Sequence, residues 1–287
     1  MLTKSSSGLA ISEPLQVNTV VWVQSLPEEE TGPTRRILED LSTAAGFPVI
    51  QYSVHDTAEL EAVFDEITAR ARSEGLRPIL HVDAHGTAEE GLLLAPSGDR
   101  ISWSNIIDHM RQLNVATENN LVCVFALCYG LHLYREVSLS QPVPAYFFIA
   151  PEKKVTVGFL EQQTLEFYRA VNENANVTTS FEATLKDQMQ FFHCQGVFFQ
   201  TLLRYIKQHC KGRAKGERLE RMVSAALERD GISEPTADQL RQIRQDIKAA
   251  LKPDQSVVDY FASRFLIGRP AAFDYQIVKE FLDRQSQ

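Results

Sequence analysis

The chain has 287 residues, of which 29 are Lys or Arg and 37 are Asp or Glu, so its formal net charge at pH 7 is -8. This length suits one large α/β domain with a helical extension, or two small domains. The acidic balance argues against a nucleic-acid partner, which would need a basic surface. No apolar run approaches the roughly 20 residues of a membrane span, so we expect no membrane partner either.

The first 17 residues and the cysteines indicate the compartment. Residues 1–17 lack the apolar core of a signal peptide, so we expect a flexible leader and a cytoplasmic protein. The four cysteines, Cys123, Cys128, Cys194 and Cys210, form no C-x-x-C pair, which argues against a zinc site. In the cytosol we expect them to be reduced thiols.

The first part of the chain alternates β-rich runs with segments of helical spacing. Such alternation predicts a parallel sheet with right-handed crossovers. Two short apolar runs around residues 96–99 then predict a hairpin. The predicted strands lie at 18–26, 48–54, 78–84, 119–128 and 144–150, and the predicted helices lie between Thr31 or Thr34 and Gly46 and at 55–73, 102–113, 131–137, 155–171 and 180–189.

From residue 191 onward the pattern predicts helices and no strand. We therefore predict an α/β fold, an α/β/α sandwich with a mostly parallel central sheet over residues 18–190. A C-terminal helical extension, residues 191–287, is expected to pack on it. This extension carries no chemistry of its own, which suggests that it gates a site elsewhere.

Two predicted strands end in chemically reactive residues. The strand at 78–84 is followed by His85 and Gly86, and the strand at 119–128 ends with Cys128 before Gly130. In open α/β sheets, ligands bind at the carboxyl ends of the strands. The sequence therefore predicts a thiol and an imidazole at one sheet edge, with Cys128 as nucleophile and His85 as base.

Nucleophilic catalysis by a thiol needs a base and donors to an oxyanion, and the sequence offers candidates for both. A thiol attacks as the thiolate and needs a neighbouring base to take its proton. A tetrahedral oxyanion needs backbone donors, for which we choose the N–H groups of Gly86 and Cys128. A helix beginning after Cys128 would direct its N-terminal dipole at the thiolate.

Residues 78–130 resemble the caspase-like (clan CD) cysteine peptidases, most closely their bacterial CHAT-type branch. The resemblance rests on PILHVDAHG, on GLLLAPSGDRISWSNIIDHMRQL, and on NLVCVFALCYG. His85 and Cys128 lie 43 residues apart, close to the caspase spacing of about 50. The resemblance extends loosely over residues 18–190 and does not cover the C-terminal helices.

The resemblance implies peptide-bond hydrolysis without metal or cofactor, with His85 as general base, Cys128 as nucleophile, and Gly86 with Cys128 as the oxyanion hole. Caspases carry Gln-Ala before the cysteine, and metacaspases carry an acid two places before it. Here Ala126 and Leu127 occupy those places. The resemblance therefore leaves the residue preferred at P1, the position before the scissile bond, unassigned.

Two acids are candidates for substrate binding. Asp83 shares a strand face with His85, and Glu152 follows the strand at 144–150 at the same expected edge. Asp83 could also orient the imidazole, but the pattern favours a structural acid over either of these roles.

We interpret the sequence as an intracellular cysteine endopeptidase that acts on a protein substrate and is regulated by a protein partner or a signal. The rival is a non-catalytic scaffold of the same fold that binds a partner protein. A nucleotide-binding domain is disfavoured, because no G-x-G-x-x-G or P-loop pattern occurs.

Overall fold

The structure, a computed structural model, describes residues 15–44, 48–95, 97–209, 212–250 and 253–285. These residues form an α/β fold with a mostly parallel central sheet flanked by helices and followed by further helices, as the sequence predicts. The strands are β1 (Thr19–Ser25), β2 (Val49–Ser53), β3 (Pro78–Thr87), β4 (Gly91–Leu94), β5 (Asp99–Ile101), β6 (Val122–Ala126), β7 (Phe147–Ala150) and β8 (Gln190–His193).

The central sheet runs in the order β2-β1-β3-β6-β7-β8. Neighbours from β2 to β7 pair in parallel, and β8 pairs antiparallel with β7. All five residues of β6 and six of the seven residues of β1 are buried. This burial on both faces explains why those strands read as continuous apolar runs rather than as alternating ones.

Helices cover the sheet, and side chains cap several of them. The Asp56 carboxylate accepts from the N–H of Glu59 at 2.9 Å, and the Ser102 hydroxyl accepts from the N–H of Asn105 at 3.3 Å. The α-helices are α1 (Thr31–Ala44), α2 (Thr57–Ser73), α3 (Trp103–Ala116), α4 (Val157–Asn174), α5 (Val177–Thr184), α6 (Cys194–His209), α7 (Gly212–Arg229), α8 (Ala237–Ala250), α9 (Gln255–Phe265) and α10 (Tyr275–Arg284), with 3-10 helices at Glu28–Glu30 and Gly130–Glu136.

The third strand is longer than the sequence predicts. It continues through His85 to Thr87, because β4 turns back on it and pairs His85 with Leu93 and Gly86 with Leu92. The predicted hairpin is confirmed as β4 and β5, which pair antiparallel beside the main sheet. His85 therefore lies within a strand and not in a loop.

The prediction that no strand follows residue 190 is wrong. Strand β8 crosses the proposed boundary, and its Phe191 and Phe192 pair with Ile149 and Phe148 of β7. The pattern of polar and apolar residues in β8 is too short to distinguish a strand from the start of a helix, since α6 begins directly at Cys194. Helix α10 was also not predicted. Gly46, the predicted end of the first helix, lies outside the described residues.

Aromatic side chains attach the later helices to the sheet. Phe198 on α6 stacks on Phe265 of α9, with ring centroids 5.5 Å apart, and Phe199 meets Phe273 edge-on at 4.9 Å. Phe198, Phe199 and Phe265 are each at most 1% exposed. Helices α6 and α9 thus share the sheet's hydrophobic core. No helix in the described ranges is long and apolar enough to cross a membrane.

Candidate active site

A cavity of about 430 Å³ opens at the carboxyl edge of the sheet, between α1 and α4. His85 and Cys128 both line it, together with Asp83 and Ala126. Its volume falls in the range of small-ligand pockets. The structure therefore brings the predicted nucleophile and base to one cavity.

The parallel register of two neighbouring strands explains this meeting. Asp83 of β3 is paired with Ala126 of β6. His85 and Cys128 each lie two residues beyond that pair, so they occupy corresponding positions at the carboxyl ends of the two paired segments. The sequence could predict this because both motifs follow buried runs of similar length.

Gly86 lies against the backbone of the cysteine loop. A Cβ atom added to Gly86 would lie 2.2 Å from the Cys128 carbonyl oxygen and 2.6 Å from Cδ1 of Leu127. No side chain fits there, so this contact alone requires glycine. It also places the two residues predicted to form the oxyanion hole in direct contact.

We expect Gly86→Ala to destabilise the fold by about 1–3 kcal/mol, since either the strand or the cysteine loop must move. Gly216→Ala is the matched control, because Gly216 lies on α7 with no neighbour within 4 Å. Helix propensity predicts that the control is neutral or slightly stabilising. Urea unfolding of both variants measures the difference, and equal stabilities would contradict the close packing.

The turn after Cys128 is held by its neighbours. Tyr129 has a left-handed backbone, with φ of 62°, and its N–H donates to the Lys153 carbonyl at 3.2 Å. Gly130 follows, where an added Cβ would be 3.1 Å from Cβ of Ala150. A side chain in this conformation is strained and persists only where the surroundings impose it.

The helix predicted at 131–137 is a short 3-10 helix, Gly130–Glu136. Its hydrogen bonds are poorer than those of an α-helix, and its backbone dipoles are few. The expected support of the thiolate by a helix dipole is therefore not part of this site.

His85 makes a contact that the sequence did not predict. Its Nε2 lies 2.9 Å from Oε2 of Glu30, with side chains 44% and 48% exposed. Among the described residues, no hydrogen bond joins His85 to the Cys128 thiol. The sequence feature that could have indicated this contact is the acidic run Glu28–Glu30, which follows β1, because β1 ends at the same sheet edge as β3.

Asp83 projects from the face of β3 that also carries His85 and lines the cavity. The hydroxyl of Thr34, in the first turn of α1, donates to Asp83 Oδ2. Thr34 is thus not the predicted helix cap, since α1 already begins at Thr31. Burial raises the pKa of Asp83 from 3.8 to about 6, against the opposing effects of Thr34 and His85.

This raised pKa has a consequence for stability. Ionising Asp83 costs more in the folded state than in the unfolded chain, so the penalty is absent below about pH 4 and complete above about pH 6. We expect Asp83→Asn to raise the free energy of unfolding by roughly 1–3 kcal/mol at pH 8 and hardly at all at pH 4. Denaturant titrations at both pH values measure this, and an equal effect at both would contradict the burial.

The floor of the cavity is aromatic. Trp22 and His81, register partners on β1 and β3, stack with centroids 3.6 Å apart. The Nδ1 atom of His81 lies 3.0 Å from the hydroxyl of Tyr168 on α4. Complete burial lowers the pKa of His81 to about 3, so this imidazole is neutral.

Glu152, the second predicted substrate-binding acid, is exposed and does not line the cavity. Val155 and Val157, a few residues later, line it instead. The structure thus groups Asp83, His85, Gly86 and Cys128, and leaves Glu152 outside this group.

The described part of the chain has no group of three or more His, Cys, Asp or Glu residues arranged to hold a metal ion. Cys123, Cys128 and Cys194 form no disulfide bond with one another, and of these three Cys128 is partly exposed. No model of a known protein family matches the chain, and no curated protein matches it.

Proposed function

We propose that this chain is a caspase-like cysteine endopeptidase that cleaves peptide bonds of a protein substrate through a Cys128/His85 dyad. The observation that carries the proposal is the shared cavity of the two side chains at the carboxyl edge of neighbouring parallel strands. A partly exposed thiol that shares a cavity with an imidazole offers the two groups that nucleophilic catalysis by cysteine requires.

The proposed reaction proceeds in two stages. His85 takes the proton of the Cys128 thiol, the sulfur attacks the carbonyl carbon, and a tetrahedral oxyanion forms. The backbone N–H groups of Gly86 and Cys128 are the proposed donors to that oxyanion. His85 then protonates the leaving amine, and a water activated by the same imidazole releases the acyl group from the sulfur.

Glu30 extends the dyad as a positioning residue. Its carboxylate lies 2.9 Å from Nε2 of His85, so in the proposed reaction Nδ1 is the ring nitrogen that takes the proton of the thiol. Both side chains are about half exposed, so the contribution is modest, up to about 1 kcal/mol.

We expect Glu30→Gln to lower kcat by about 2–5-fold and to leave KM almost unchanged, because the amide orients the ring but does not stabilise an imidazolium. Glu28→Gln is the control, since Glu28 belongs to the same 3-10 helix and does not line the cavity. Steady-state kinetics on one peptide substrate compare them. An effect on KM alone, or an equal effect of both variants, would contradict the positioning role.

The proposal is tested by incubating a random peptide library with the wild-type protein and with Cys128→Ala, and sequencing the products by mass spectrometry. Cleavage by the wild type that is absent from the variant is the expected result. Cleavage by both would point to a contaminating peptidase or to another nucleophile, and cleavage by neither would favour the alternative below.

The alternative function is a non-catalytic scaffold of the same fold that binds a partner protein. The observation that favours it is the contact of His85 with Glu30 in the absence of a hydrogen bond to the thiol. Catalytic hydrogen bonds are often long without substrate, so this geometry is also compatible with an enzyme.

We further propose that the enzyme acts in the cytoplasm, where its thiol stays reduced, and that a partner or signal restrains it through the C-terminal helices. Deleting residues 191–287 does not test this, because the cut divides β8 and removes α6 from the core. Limited proteolysis with and without candidate partners is the better test. A partner that changes peptidase activity without changing the cleavage pattern of α7 and α8 would contradict restraint through those helices.

A further inference from the structure

A histidine joins the loop that carries Cys128 to the turn between β3 and β4. His132, four residues after Cys128, places its Nδ1 atom 2.6 Å from the carbonyl oxygen of Ala88. Ala88 begins this turn, residues 88–90, two residues after Gly86. The hydrogen bond therefore links the two segments that carry the proposed donors to the oxyanion.

The direction of this hydrogen bond follows from its acceptor. A carbonyl oxygen accepts and does not donate, so Nδ1 of His132 carries the hydrogen. The imidazole also meets the ring of Tyr129 edge-on, with centroids 5.7 Å apart. His132 is half-buried and does not line the cavity. Any effect of His132 on the reaction therefore passes through the backbone that it holds.

The turn that accepts this hydrogen bond is fixed by other contacts as well. The indole Nε1 of Trp103, the first residue of α3, donates to the Thr87 carbonyl at 3.1 Å. The Thr87 hydroxyl accepts from the N–H of Glu90 at 3.0 Å and so closes the turn on itself. A turn held in this way is a firm support for the cysteine loop.

The sheet itself does not hold Gly86 and Cys128 at their observed separation. The register of β3 with β6 ends at the pair Asp83 and Ala126, before either residue is reached. The close packing of Gly86 against the Cys128 carbonyl prevents the two segments from moving closer, but repulsion does not oppose their moving apart. The hydrogen bond of His132 opposes that separation.

The separation matters for the proposed chemistry. Donors to an oxyanion act over about 2.7–3.1 Å, so a small displacement of either N–H group weakens the contact. The oxyanion forms only after the sulfur has attacked, so a displaced donor affects the transition state more than the bound substrate.

We propose that His132 is a positioning residue of this active site, and that its hydrogen bond to the Ala88 carbonyl keeps the N–H groups of Gly86 and Cys128 at the separation that the oxyanion needs. This inference rests on the proposed peptidase function and adds to it a residue outside the cavity. The expected effect therefore falls on kcat and not on KM.

Two substitutions separate the hydrogen bond from the ring of His132. His132→Phe keeps an aromatic ring beside Tyr129 and removes the donor. His132→Asn removes the ring and keeps a donor, because the amide nitrogen of asparagine, like imidazole Nδ1, is bonded to Cγ. A role of the ring in packing alone predicts the opposite order of activities from the one that the hydrogen bond predicts.

We expect His132→Phe to lower kcat by about 3–10-fold, because one hydrogen bond is lost, and to leave KM within twofold of the wild type. His132→Asn should retain at least half of the wild-type kcat. Steady-state kinetics on the best substrate from the peptide library measure both variants. A loss in His132→Asn that equals or exceeds the loss in His132→Phe would overturn the proposal.

The matched control is His109→Phe. His109 is a half-buried histidine on α3 whose ring stacks on Phe64, with centroids 5.1 Å apart, and it does not line the cavity. This variant should leave kcat within twofold of the wild type. An equal loss of kcat in His109→Phe and His132→Phe would show that the loss reflects the exchange of a histidine for phenylalanine and not the position of His132, and would overturn the proposal.

A peptide aldehyde with the sequence of the same substrate tests the oxyanion hole directly. The Cys128 sulfur bonds to the aldehyde carbon, and the thiol proton passes through His85 to the former carbonyl oxygen, which lies where the oxyanion would form. We expect His132→Phe to weaken inhibition by the aldehyde by about 3–10-fold. Alkylation of Cys128 by iodoacetamide should stay within twofold of the wild-type rate, because it needs a thiolate but no oxyanion hole. Slower alkylation with unchanged inhibition would place the effect on the thiol and overturn the proposal.

Failure of the positioning role and failure of the peptidase function give different results. Cys128-dependent cleavage with the same kcat in the wild type and in His132→Phe would keep the peptidase and overturn the role of His132. A wild-type protein that cleaves no peptide of the library would overturn the peptidase and, with it, the positioning role.

Discussion

Replacing Cys128 with alanine is expected to lower kcat/KM for peptide hydrolysis by at least 1,000-fold. The sulfur is the atom that bonds to the substrate in the proposed reaction, and no other described cysteine lines the cavity. Cys128 is only partly buried, so the truncation leaves a small gap at the surface. The measurement is the initial rate on the best substrate from the peptide library.

The matched control for this prediction is Cys194→Ala. Cys194 is a completely buried thiol that contacts the side chain of Asn119 at 3.8 Å and does not line the cavity. We expect this variant to lose some stability and to keep its activity per folded molecule. Retained activity in Cys128→Ala, or equal losses in the two variants, would remove Cys128 from the mechanism.

Replacing His85 with glutamine is expected to lower kcat by about 100- to 10,000-fold, because proton transfer to and from the reacting atoms is lost. Glutamine preserves a hydrogen bond to Glu30, so the local packing is retained. Peptide hydrolysis across pH 5–9 measures the loss and shows whether the remaining rate rises with hydroxide.

A second histidine–glutamate pair provides the control. His55 Nδ1 lies 2.8 Å from Glu59 Oε2 on the surface, and neither residue lines the cavity. His55→Gln removes a similar contact and should leave kcat within twofold of the wild type. If His85→Gln behaved like His55→Gln, the imidazole at the sheet edge would be structural.

The main features of the sheet could be predicted from the sequence because they depend on local patterns. Buried runs such as those of β3 and β6 show the strands directly, and their parallel order follows from the helices between them. The meeting of His85 and Cys128 follows from the same pattern, since each lies just beyond the buried part of its strand.

The parts that could not be predicted depend on tertiary contacts. Strand β3 continues past His85 only because β4 pairs with it, and β8 exists only because the edge of β7 is open to receive it. Thr34 is of a residue type that often caps helices, but its hydroxyl donates to the half-buried carboxylate of Asp83 instead. Glu30 reaches His85 from a turn whose path the sequence alone does not specify.

The most direct test of the dyad is the rate at which iodoacetamide alkylates Cys128 at pH 7, measured by peptide mass spectrometry in the wild type and in His85→Gln. Cys123 and Cys194 are buried and Cys128 is partly exposed, so burial alone predicts that Cys128 reacts faster. The informative comparison is therefore the alkylation rate of Cys128 with and without His85. The proposed mechanism predicts at least tenfold slower alkylation of Cys128 in the variant, because its thiolate has lost its base. Equal rates in the two proteins would show that His85 does not activate Cys128, and would contradict the proposed dyad.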